Sequence, residues 1–167
     1  MKYDADVVQC GALCYTDEKF IPKEETNISN FEIILTGVEI RRNFIDEKHI
    51  TNNLSAKLFK RCLFESINIP RERQIVDVII LPQIINKCNK YICIHDNLYY
   101  AYQPFDSVSR SSITVRRIDD LLYGNDFYES FITENWTELI SYIPYRKIIT
   151  SLWAYDKILF SKKKKKK

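Results

Sequence analysis

The chain has 167 residues, 46% hydrophobic and 13% aromatic, roughly the size of one domain and apolar enough to bury a core. That composition excludes a disordered or low-complexity polypeptide. Its 25 Lys and Arg exceed its 22 Asp and Glu by three, but Lys162–Lys167 alone supplies six cations, so residues 1–161 carry a net −3 ahead of a strongly cationic end.

Taken in chain order, Val7–Tyr15 reads as an apolar strand and Pro22–Asn30 as a loop. Phe31–Ile40 predicts a second strand, with Gly37 as a bulge. Thr51-Asn52-Asn53 is a run of helix-capping types. Behind it Leu54, Leu58 and Cys62, with Phe59, Leu63 and Ile67, recur at helical spacing, which predicts an amphipathic helix over 54–67. Gln74–Leu81 is β-branched and bounded by Pro82, the pattern of a buried strand. Lys90–His95 and Leu98–Gln103 flank Asp96-Asn97, two residues that tolerate positive φ, so a hairpin is expected there. Ser107–Ser112 reads as a polar loop and Ile113–Val115 as a short strand.

The period then changes. Asp126 with Glu129 has the form of a capping box, and Tyr128, Phe131, Ile132, Trp136, Leu139, Ile140 and Ile143 make one stripe that Pro144 should end. Ile148, Leu152, Tyr155 and Leu159 predict a last helix over 145–160. The expected fold is therefore α+β: a mostly antiparallel sheet, one amphipathic helix at 54–67 and a C-terminal helical segment over 126–160. The expected organisation is a single globular domain, 1–161, and a polylysine tail, 162–167.

Several function classes are excluded or disfavoured. The chain has only three glycines, Gly11, Gly37 and Gly124, each alone. Phosphate-cradling and dinucleotide-binding loops need clustered glycines. The apolar run Val78–Leu81 falls far short of the roughly 18–20 residues that cross a bilayer. Met1–Asp6 carries two acids and no apolar stretch, unlike a secretory signal. An odd count of five cysteines then fits reduced thiols in the cytosol or nucleus. The sequons at Asn27, Asn53 and Asn135 are read as coincidental on the same ground. With 24 Ile, 16 Lys and 11 Asn, the composition has the skew of an AT-rich coding genome.

Catalytic constellations are thin. Gln9-Cys10-Gly11-Ala12-Leu13-Cys14-Tyr15 has the residue types of the papain-type cysteine signature, but its spacing is off by one and it lies in a strand rather than at a helix N-terminus. Cys10 and Cys14 are better read as small buried residues. Cys88, Cys93 and His95, with Cys10 and Cys14, lack the tight Cys-x₂₋₄-Cys knuckles of a zinc site. His95-Asp96 would point to opposite strand faces. No catalytic residue, metal, cofactor or small-molecule substrate is expected.

The candidates left are nucleic-acid-facing. Lys162, Lys163, Lys164, Lys165, Lys166 and Lys167 suit RNA phosphates, which demand charge but no sequence reading. Tyr99, with Arg116 or Arg117, suits an exposed base by stacking, whereas Tyr100 and Tyr102 are read as packing residues. A protein that coats RNA is basic throughout. An acidic body with one cationic end instead suggests a non-enzymatic cytoplasmic factor that docks on a ribonucleoprotein, with the ribosome and its proteins the foremost partner and no membrane involved. A protein–protein adaptor or assembly subunit is the second expectation, and a small cysteine- or zinc-dependent enzyme the third.

Overall fold

A computed structural model describes residues 4–16, 32–73, 76–104 and 114–164, with the side chains of 157 and 160–164 left aside. The expected loops at 22–30 and 107–112 lie outside the described residues. Four strands and four helices form an α+β fold: β1 (Val7–Tyr15), β2 (Glu32–Thr36), α1 (Val38–Ile45), β3 (Lys57–Phe59), α2 (Asp77–Lys87), β4 (Lys90–Tyr102), α3 (Val115–Asn135) and α4 (Ile143–Lys164). Two compact units share them. The first comprises Met1–Ile67 and Ile84–Val108, and the second Asn68–Gln83 and Ser109–Lys167.

The first unit is built on one sheet, ordered β2-β4-β1-β3. β2 with β4 and β1 with β3 run antiparallel, while the central pair β1 and β4 runs parallel, so the sheet is mixed. Val7 and Gln9 of β1 and Leu35 of β2 are buried, as are three consecutive residues of the central β4, Tyr91, Ile92 and Cys93, together with Ile40 and Phe44 of α1, Ile50, Leu63, Ile84 and Ile85.

Three expectations are corrected here. The hairpin at Asp96-Asn97 is absent, because β4 runs unbroken from Lys90 to Tyr102. Its register on β1 jumps from Gln9 opposite Cys93 to Gly11 opposite Asn97, so Asp96-Asn97 mark a bulge rather than a turn. Gly11 is what lets the bulge close. A Cβ there would lie 2.4 Å from Asn97 Oδ1 and 3.1 Å from the carbonyl oxygens of Asp96 and His95.

Residues 54–67 do not form a helix. Lys57–Phe59 pairs with β1, the Lys60 N–H donates to the Asp6 carbonyl at 2.8 Å, and only Arg61–Phe64 coils, as a 3₁₀ turn. Backbone pairing to a sheet edge overrides a helical period there. The second strand also stops early. Gly37, at φ 55°, turns β2 into α1, where Ile40 and Phe44 are buried four residues apart.

In the second unit, Asp77–Lys87 is a helix through Pro82, not the expected strand over 74–81; its first part, to Gln83, belongs here. Pro82 has no N–H to give the Val78 carbonyl, yet Ile79, Ile80 and Leu81 are all buried. Val115 opens α3 rather than ending a strand, with the Thr114 hydroxyl accepting the Arg117 N–H at 3.2 Å. Asp126, expected as a cap, sits in the middle of α3. The helix ends at Trp136, which is fully buried and meets Phe131 edge-on at 5.3 Å. A 3₁₀ segment, Thr137–Tyr142, leads into α4, where Pro144 occupies the first turn and starts a helix instead of ending one. Of the expected stripe, Tyr128, Ile132, Trp136 and Leu139 are buried, Phe131 and Ile143 are half-buried, and Ile140 is exposed.

Candidate interaction surface

The thiols come first, since they bear on catalysis. Cys88 and Cys93 are buried, and desolvation pushes them up to about 12 and about 11. A thiol so raised is neither a thiolate nucleophile nor a ready metal ligand at neutral pH. Cys93 Sγ donates to the His49 carbonyl at 3.4 Å. Gln9 holds the same segment: its amide donates to the His49 carbonyl at 2.8 Å and its Oε1 accepts from Tyr91 Oη at 2.9 Å and Thr51 N at 3.0 Å. These contacts fasten residues 49–51 to the sheet. Cys10 Sγ donates to the Ala56 carbonyl at 3.5 Å, and all five cysteines are free. Among the described residues no group of three or more His, Cys, Asp or Glu is placed to hold a metal.

Tyr99 lies on β4 in the first unit, where it lines an open groove of about 370 Å³ with Val8, Cys10, Leu58, Ile94 and Leu98. Arg116 and Arg117 lie in the first turn of α3, in the second unit. Arg116 is exposed and its guanidinium donates to the Glu72 carbonyl at 2.8 Å. Arg117 is half-buried. Tyr99 is therefore not in one unit with the arginines expected beside it. Nearby, Arg73 donates to Asp119 at 2.6 Å and to buried Asp120 at 2.9 Å, and lies 4.3 Å over the Tyr123 ring. This bridge, which the sequence did not suggest, fastens the segment before α2 onto α3.

Lys162–Lys164 continue α4 and form its last turn; Lys165–Lys167 lie outside the described residues. The full asymmetry appears only with the helix boundaries. Residues 143–167 hold nine cations and one acid, Asp156, while the preceding 142 hold sixteen cations and twenty-one acids.

α4 also shows its more apolar side to solvent. Ile143, Arg146, Thr150, Ala154 and Ile158, spaced by three or four, are its half-buried residues. Arg146 lies 3.9 Å over the Tyr128 ring, and Lys147 pairs with Glu129 at 2.5 Å. Tyr145, Ile148, Ile149, Leu152, Trp153, Tyr155 and Leu159 are exposed, Leu152 at 58% and Tyr155 at 62%. They cover roughly 160° of the circumference at 3.6 residues per turn. The sequence identified the helix through four of these residues but gave no sign that they face outward. Among the described residues no helix is long and apolar enough to cross a membrane. No protein-family model matches the chain, and no curated protein matches it.

Proposed function

We propose that the chain is a non-enzymatic factor that docks on a ribonucleoprotein, foremost the ribosome. Lys162–Lys167 neutralise RNA phosphates in this reading, and Tyr99, Arg116 and Arg117 add contacts from the two folded units. One observation carries it: the cations gather on the terminal helix and run, nine against one acid, while the rest of the chain is net acidic. A surface of that kind grips a polyanion at one end and is repelled by it elsewhere, which orients the docked molecule. Burial takes Cys88 and Cys93 out of nucleophilic chemistry, while Cys10, Cys14 and Cys62 are not buried. The corresponding compartment is the cytoplasm, where the five cysteines stay reduced.

Pull-down of the full chain from native lysate, with and without ribonuclease, tests the reading. Ribosomal RNA and proteins recovered together, and lost after ribonuclease, are the expected result. Recovery of no ribonucleoprotein in either arm refutes it. The exposed apolar arc of α4 favours a second reading, a protein–protein adaptor or assembly subunit, which ribonuclease would leave bound.

A further inference from the structure

We propose that the groove beside Tyr99 takes one unstacked nucleobase of single-stranded RNA, with the Tyr99 ring as its stacking platform. The inference rests on the ribonucleoprotein reading and deepens it: the lysine run holds phosphates, and this groove holds a base.

Successive residues of a strand point to opposite faces of the sheet. Val7, Gln9 and Cys93 turn inward, where Gln9 and Cys93 both reach the His49 carbonyl. Val8, Cys10 and Ile94 turn to the other face and line the groove with Leu58, Leu98 and Tyr99. Its volume of about 370 Å³ lies within the range of small-ligand sites, roughly 300–1,000 Å³. The wall at 54–58 stands before any ligand arrives. The Cys10 N–H donates to the Ala56 carbonyl at 2.9 Å, and Lys57 Nζ donates to Thr51 Oγ1 at 2.6 Å and to the Asn53 carbonyl at 2.5 Å. A wall already fixed need not be ordered by the ligand.

The lining selects the occupant. Among the described residues it contains no acid, in a body that is net acidic, so a polyanion can approach it without repulsion from the groove itself. Tyr99 is exposed, and its register partner on β1 is Ala12, too small to cover the ring. A base needs that open π-face and apolar neighbours, while its polar edges stay in water. An extended peptide needs a free strand edge, but Val8 is already paired on both sides, with Leu58 and with Ile92. A fatty acid needs a free cation. Lys57 is the only cation among the described lining residues, and loop oxygens already surround its ammonium.

Methyl NMR of the full chain, labelled at Ile, Leu and Val, tests this during addition of a single-stranded RNA of about ten nucleotides, and again with the same strand made abasic. Ring-current shifts at Val8, Ile94 and Leu98 with the base-bearing strand, and none with the abasic one, are expected. Tyr99→Ala should weaken binding of the base-bearing strand about 5- to 150-fold, the loss of one stacked base, with the salt slope unchanged. Tyr99→Phe should bind as the parent does. Equal RNA affinity in the parent and Tyr99→Ala, without methyl shifts, overturns the base site and leaves the ribonucleoprotein reading standing. Equal shifts from the abasic strand also overturn it. So do shifts produced by ribosomal proteins stripped of RNA but not by RNA, which would assign the groove to a polypeptide. A chain that binds no RNA at all overturns both readings.

Discussion

Gly11→Ala probes the feature least visible in the sequence, the parallel pairing of β1 with a bulged β4. Each of the three atoms a Cβ would meet belongs to the bulge: Asn97 Oδ1 at 2.4 Å and the Asp96 and His95 carbonyls at 3.1 Å. The Asn97 amide can swing away, but the two carbonyls are backbone, fixed by the register jump between Gln9 and Gly11. Overpacking of this kind costs about 1–3 kcal/mol, and part of it should persist when Asn97 is also shortened to Ala. Urea denaturation followed by circular dichroism reads the loss as a lower midpoint at unchanged slope. In the double variant the side-chain clash is gone while the backbone crowding remains, so the midpoint should recover only partly. An unchanged midpoint in Gly11→Ala would mean that β4 does not approach β1 at that residue, as in a hairpin turning at Asp96-Asn97.

Further outcomes follow from the packing and charges. Trp136→Ala, at a fully buried position between α3 and the 3₁₀ segment, should cost about 3–5 kcal/mol, read as a lower midpoint in the same denaturation. Lys60 donates to Asp4 at 2.8 Å and to Asp6 at 3.0 Å. Burial would raise Asp6, but Lys60 and the Asn89 and Lys90 N–H groups outweigh it and hold its pKa below 3.8, and the Lys60 hydrogen bond lowers Asp4 as well. Folded values below unfolded ones give stability that is present above pH 3.8 and lost as pH falls through the folded values. An acid titration of stability should show that loss, and Lys60→Met should flatten it; an identical acid profile would refute the pairing. In the native chain Cys88 and Cys93 should resist a maleimide at pH 8 and become reactive only on unfolding, with mass spectrometry locating the label.

What was legible in the sequence was the set of segments whose period and tertiary environment agree. Val7–Tyr15 is apolar and is a strand; Tyr128, Ile132, Trp136 and Leu139 repeat at helical spacing and are buried. The failures came where a non-local partner decides. Leu54, Leu58 and Cys62 have a helical period, but the Asp6–Gln9 edge of β1 recruits Lys57–Phe59 as a strand. Asp96-Asn97 have turn chemistry, yet the same tolerance of unusual backbone serves a bulge, and the one clue was the isolated Gly11 opposite. Pro82 after a β-branched run looks like a strand end, although burial of Ile79, Ile80 and Leu81 on a helix outweighs one missing hydrogen bond. Of the candidate surface, the lysine run was plain in the sequence. The outward arc of α4 was not, because period locates a stripe without saying which side meets a core.

The salt dependence of ribosome binding tests the polyanion reading most directly, comparing the full chain with a variant in which Lys162–Lys167 are all Ser. Six phosphate contacts give a slope of log affinity on log salt of about −4 to −5, so a rise from about 50 to 200 mM should weaken the parent chain roughly 250- to 1,000-fold. The serine variant should bind more weakly at low salt and keep only the shallow slope of the remaining contacts at Arg116 and Arg117, about −1 to −2. Equal affinities and equal slopes for the two chains would contradict the assignment of the cationic end to RNA.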